Sequence, residues 1–332
     1  MFATPLPPLD GRFEDNGSHE AYQRILNLEN RNPVWIRILG YMLIYAPNEN
    51  GQLEIVQDIH SCATDQDVLE LGQSFFKYFV HYCKFKSVDN ISTSPLPPPL
   101  IDSVQNQMHS LIAITPTTHS EARTNALIRD NYRCMLSQKV DIDTYRRSPF
   151  LQVQLGLSPP PDVDQTECCH ILPCLTSDLQ ESKENIPVRT TCATMFTALE
   201  RFGGISHLER NQHGPHHLTN IMTLQTGLRR NFDRLQLWLD PVEGVDNTYT
   251  IGRQFPGLRL DLPQAVTFTT STPGFPLPDR RYLALHAACA RVVHLSGATE
   301  AISSIIEEME QTRVLSEDGS SAELLEYLWS MD

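Results

Sequence analysis

The apolar positions fall into three regimes along the chain. From residue 17 to 86 they recur at helical spacing. Glu20–Glu29 places Tyr22, Ile25, Leu26 and Leu28 on roughly one face. Asn32-Pro33 is a start signal, with Asn as N-cap and Pro at the first helical position. The helix behind it, Val34–Tyr45, is apolar nearly all round and is expected to be buried, Trp35 included. Pro47–Gly51 reads as a turn and Leu53–His60 is ambiguous. Asp65–Phe85 reads as a long amphipathic helix with Val68, Leu69, Phe75, Phe76, Phe79, Val80 and Cys83 on one side. A helical unit over 17–86, packed against the C-terminal helices, follows from this.

The second regime is interrupted. Residues 87–119 contain Ser94-Pro95-Leu96-Pro97-Pro98-Pro99 and read as a stiff, Pro-rich linker. Ser120–Arg129 and Thr191–Arg201 look helical, the latter ending at Gly203-Gly204, and Ser158–Pro161 forms a loop. The third regime begins after Asp233. Leu235, Leu237 and Leu239 alternate with Trp238, and Thr248–Ile251 and Val266–Thr270 are rich in Thr, Val and Tyr. Two or three antiparallel strands are expected there. Helices return at Arg280–Leu295, Ala298–Thr312 and Ser320–Trp329. Residues 1–16, polar and Pro-rich, are expected to be disordered.

Composition narrows the function classes. The chain has 332 residues, 40% of them hydrophobic, enough for one large domain or two moderate ones. No apolar run is long enough to span a membrane, and the start lacks a secretory pattern. Eight scattered cysteines suggest free thiols in a reducing, intracellular compartment, nuclear or cytoplasmic. The net charge of -14 argues against non-specific nucleic-acid binding. Residues 120–240 are the least acidic stretch, with 13 Lys/Arg against 14 Asp/Glu. Any grip on phosphates there has to be local and salt-sensitive.

Three blocks carry candidate chemistry: Arg129-Asp130-Asn131-Tyr132-Arg133-Cys134, then Glu167-Cys168-Cys169-His170-Ile171-Leu172-Pro173, then Asn220, followed by Leu228-Arg229-Arg230-Asn231-Phe232-Asp233. In order and spacing they resemble the HNH endonuclease family, in the branch abundant in fungi. The pattern there is Arg-Asp-x-x-x-Cys, Ala-His-Ile-x-Pro, an Asn, and nine residues later a His before Arg-x-Phe-Asp. The resemblance implies an α+β fold, with a ββα-metal HNH module at 120–240 embedded between a helical N-terminal region and a mixed strand and helix region at 241–332. It implies a metal-dependent phosphodiester hydrolase acting on nucleic acid, DNA ahead of RNA, with a divalent metal, Mg or Zn. His170 would be the general base, since imidazole titrates near neutral pH. Asn220 would tie the loop that sets it. Cys134 and His170 are expected on paired strands, with Asn220 opening a helix packed across them.

Arg229 departs from the pattern, standing where the family histidine ligates the metal. Arginine is always cationic and cannot ligate. Three readings stay open. The site is degenerate and the fold serves binding to nucleic acid or protein; or Cys169, Asp233, His216 or His217 substitute as metal ligands; or Arg229 itself neutralises the phosphate. Arg129, Arg133, Arg230 and Arg234, with Arg146 and Arg147, are the candidate phosphate contacts. For Cys134, against a remnant zinc ligand, and for the Cys168–Cys169 pair, against soft-metal ligands, the residues favour buried packing.

Overall fold

The structure, a computed structural model, describes residues 3–88, 115–154, 162–173, 198, 200–206, 209, 214–255, 261–270 and 272–304. Most of the Pro-rich linker, the Ser158–Pro161 loop, His213, the start of the expected 191–201 helix and everything after 304 lie outside the described residues. The chain is mixed α and β and divides into two compact units. One comprises Met1–Phe85, Leu175–Gly204 and Arg291–Asp332; the other comprises Lys86–Cys174 and Ile205–Ala290.

The first unit is helical. Its helices are α1 (Asn16–Leu28), α2 (Pro33–Tyr45), α3 (Glu49–Ser61) and α4 (Asp65–Val88). Asn32 caps α2 by accepting from the Trp35 N–H, with Pro33 opening the helix. Ile36, Ile38, Leu39, Tyr41, Met42 and Leu43 are buried, as the apolar pattern requires. Phe76 is buried too, but Trp35 is only half-buried, because it sits in the first turn of α2 at the end of the helix.

Two expectations for this unit are corrected. The turn at 47–51 is the start of α3: Asn48 accepts from the Gly51 N–H and caps it. Gly51 tolerates this crowding because a Cβ there would lie 2.0 Å from the Phe202 carbonyl oxygen. The N-terminal residues are not loose either. Leu6 is buried on Gly40, the Tyr22 hydroxyl donates to the Pro7 carbonyl, and Thr4 N donates to the Leu295 carbonyl. Their prolines suit an extended segment that lies on a helical surface without needing ladder hydrogen bonds. Residues 200–203 are helical and end at Gly204 with φ +63°, and residues 298–304 are helical as well.

The second unit opens with α5 (His119–Arg129), capped by a Thr118–Glu121 capping box. A short parallel pair, β1 (Val140–Asp141) and β2 (Val163–Asp164), follows, with helices α6 (Ile142–Arg147) and α7 (Pro149–Gln154) between them. Then come β3 (Thr166–His170), a 3₁₀ turn at Leu218–Asn220, β4 (Ile221–Gln225) and α8 (Thr226–Asp233). Strands β3 and β4 pair antiparallel, His170 opposite Ile221, and α8 packs on both.

This corrects two expectations for the strands. Cys134 lies on no strand; it is buried in a tight loop, its N–H bonded to the Lys139 carbonyl, and the neighbouring Met135 N–H donates to Thr223 O of β4. Asn220 closes the 3₁₀ turn just ahead of β4, and the helix begins at Thr226, so Arg229 is one turn into it. The run Ile221-Met222-Thr223-Leu224 is apolar and β-branched enough to pair, and strand pairing wins over a longer helix.

The expected antiparallel strands are present as one sheet, β5 (Leu237–Pro241), β6 (Thr248–Arg253) and β7 (Ala265–Thr267). This sheet belongs to the same compact unit as β3–β4–α8, so no boundary falls at residue 240. Helix α9 (Arg280–Ser296) stacks His286 face to face on Phe232 at 3.7 Å, with His286 Nε2 3.1 Å from the Phe232 carbonyl. The core that carries the site joins Ala122, Ala126, Ile128, Cys168, Leu218, Ile221 and Phe275.

Candidate functional site

Arg129 and Asp130 form the frame. Arg129 is fully buried and spans three segments, donating to the Leu218, Ile221 and Pro276 carbonyls. It also binds Asp130 through two bonds of 2.7 and 3.0 Å, and Asp130 accepts from the Thr223 N–H. A guanidinium so enclosed holds α5 to the start of β4. Its place among the phosphate contacts is therefore withdrawn.

His170 is the last residue of β3, and the chain leaves the strand directly after it. Asn220 clamps that exit from the other side of the hairpin. Its Oδ1 accepts from the Leu172 N–H at 2.9 Å, and its Nδ2 donates to the Leu172 and Pro215 carbonyls at 3.2 Å each. Its own carbonyl accepts from the Ile171 N–H. Both ends of the long 171–220 connection are thereby fixed by one side chain.

His170 is buried and its Nε2 lies 3.1 Å from His216 Nδ1. The His119 ring, from the first turn of α5, lies 5.6 Å from His170 and 6.5 Å from His216, centroid to centroid. Burial, helped by the nearby Arg229 charge, pushes the His119 pKa down to about 4, and burial lowers that of His216. Both are neutral at pH 7, and across the His170–His216 contact one ring nitrogen donates and the other accepts. His119 carried no signal in the sequence beyond its position next to the capping box; only the packing of α5 on β3 brings it here.

The strand alternates faces. Cys168 points into the α5 core, where burial pushes its thiol up to about 12. Glu167 and Cys169 turn to α8 and meet Arg229 and Asp233. Arg229 is buried, with Nη1 2.8 Å from Glu167 Oε2 and Nε 3.3 Å from Asp233 Oδ2. Cys169 Sγ donates to Asp233 Oδ1 at 3.8 Å. Burial works against the Arg229 charge, but Cys169, Asp233 and Glu167 together outweigh it and hold the guanidinium cationic. Glu167 stands in the same sequence block as His170, but its role appears only when its strand face is known.

This donor set does not fit a divalent metal. Both Asp233 oxygens and the Glu167 carboxylate are taken up by Arg229 and Cys169, and a fixed cation already stands among them. His216 is joined to His170, and His217 Nδ1 lies 2.7 Å from Thr219 Oγ1, closing the 3₁₀ turn. Among the described residues no three His, Cys, Asp or Glu side chains are placed to hold a metal ion. Arg230, Arg234, Arg146 and Arg147 are exposed, and Arg133 is half-buried.

Among the described residues no helix is long and apolar enough to cross a membrane. No protein-family model, no curated protein and no solved structure matches this chain.

Proposed function

We propose that β3–β4–α8 is an HNH-like unit in which the Arg229 guanidinium has taken the place of the divalent cation, so that the protein works as a nucleic-acid-binding module and not as a metal-dependent nuclease. The observation that carries this is the buried Arg229 cage, with Glu167 and Asp233 as its walls. In water-poor surroundings a cation that loses such partners leaves a buried charge uncompensated, at a cost of about 3–5 kcal/mol. A metal ion would have to displace Arg229 and bear that cost. The position of His170 at a strand end, the Asn220 clamp and the helix carrying residue 229 all support the HNH-like part of the reading.

One observation favours a second reading. Burial holds His216 neutral with its Nδ1 3.1 Å from His170 Nε2, and a neutral imidazole can accept a proton from water. With Arg229 as the fixed positive charge, cleavage without metal is chemically consistent.

A cleavage assay on plasmid, single-stranded DNA and RNA, with Mg²⁺, Mn²⁺, Zn²⁺ or EDTA, separates the readings. The proposal expects no metal-stimulated cleavage by the native chain. It expects Arg229→His, which frees Asp233, Glu167 and Cys169, to gain metal binding. EDTA-resistant cleavage lost in His170→Ala would select the second reading. Robust Mg²⁺-dependent cleavage by the native chain, lost in His170→Ala, would overturn both.

A further inference from the structure

His170, His216, Arg229 and Asp233 are all buried, which makes the surface donors of this unit a separate place where a phosphate can be met. A cleft of about 240 Å³ lies between the loop that follows α5 and the segment that leaves β7. It is smaller than the roughly 300–1,000 Å³ of ordinary small-molecule sites. Its floor is formed by Met135 and Phe268, both buried.

The chemistry of its walls is one-sided. The one carboxylate, Asp130, is offset by Arg129 through two bonds. Arg133 is the remaining charge. Its Nη1 donates to the Gln138 carbonyl at 2.8 Å, and among the described residues it forms no salt bridge. Thr267, Thr269 and Thr270 supply hydroxyls on the opposite wall. Those of Thr267 and Thr270 are held in place by Thr248 and by the Thr272 carbonyl. Asn131 adds an exposed amide at φ +53°. In a chain of net charge -14, a donor-lined cleft with its carboxylate neutralised is the kind of place where an anion can bind.

We infer that this cleft binds a phosphate ester, with Arg133 as its charged anchor and Asn131 and Thr269 as hydrogen-bond donors. Guanidinium and hydroxyl donors converging from two walls suit the several acceptor oxygens of a phosphate. The source is either a mononucleotide or the backbone of a nucleic acid. Only the second source rests on the function proposed above.

Binding is measured by isothermal titration with inorganic phosphate and adenosine monophosphate, and by anisotropy with a labelled single-stranded oligonucleotide at low salt. At least one probe is expected to bind the native chain. Arg133→Ala should weaken it at least about tenfold and, for the oligonucleotide, flatten the salt dependence by about one unit of slope. Asn131→Asp tolerates the left-handed backbone and places a like charge in the cleft, so it should abolish binding. Arg31→Ala, exposed and outside the cleft, should leave it unchanged. Binding of phosphate or mononucleotide but not of oligonucleotide, with the same loss in the variants, supports the cleft and removes the nucleic-acid reading. Absence of binding for every probe, or unchanged binding in folded Arg133→Ala and Asn131→Asp, would overturn the inference.

Discussion

Asn220 is the residue on which the local geometry depends most. Its side chain makes three hydrogen bonds to backbone on both sides of the long connection. Asn220→Ala leaves the buried Leu172 N–H and carbonyl without this partner, and each costs about 1–3 kcal/mol when orphaned. Urea unfolding should show a loss of about 2–4 kcal/mol. Asn220→Asp keeps the acceptor for Leu172 N but loses both donors, so it should also be destabilising. A change below about 0.5 kcal/mol in the alanine variant would remove the clamp from the account. His119 gives a second test. Its folded pKa, about 4, lies below the ordinary histidine value of 6.5. Between those values the unfolded chain binds more protons, so stability is present above pH 6.5 and is lost as pH falls toward 4. His119→Gln should make the melting temperature fall less steeply over that window. An unchanged slope would show that His119 is not held neutral.

At the level of elements, Trp238 shows how a strand pattern becomes a packed sheet. It faces Gly252 across the β5–β6 pair, and its Nε1 donates to Asp240 Oδ2 at 3.0 Å. A Cβ at Gly252 would lie 2.0 Å from that nitrogen. Gly252→Ala should therefore push the indole off its position and cost about 1–3 kcal/mol, as overpacking does. A thermal melt followed by tryptophan fluorescence reads both effects; an unshifted melt would mean that the ring moves freely. The same scale explains the reassigned strand. A single sequence places Asn220 before a helix, because Asn caps helices well. The strand Ile221–Gln225 needs β3, from Thr166–His170, as its partner, which local pattern cannot supply.

For the whole molecule, charge is the controlling quantity. Forty acidic side chains face 26 Lys and Arg, so the folded chain repels itself. Screening works over a length of about 10 Å at 0.1 M salt. The melting temperature should rise between about 10 and 200 mM NaCl, opposite to what a chain held by surface ion pairs would show. A fall over that range would assign the stability to those pairs. The two units each have a helical or mixed core of their own, and the sequence segments that build them alternate along the chain.

The sequence by itself determined α1, α2 and α4 of the first unit, the Asn and Pro start signal of α2, the antiparallel strands after Asp233 and the position of His170 and Asn220 at a candidate site. These follow from local periodicity and capping, which need no distant partner. Tertiary structure alone decided the rest. It buried Arg129 as a frame, ordered the N-terminal segment on the Gly40 surface and set the 241–267 strands in the same unit as β3–β4–α8. It also turned Glu167 and Asp233 toward Arg229 and brought His119 and His216 to His170. Those outcomes depend on which strand face meets which helix, and a one-residue change of register reverses every face. The charge on Arg229 was legible from its residue type. That it stands caged between two carboxylates was not.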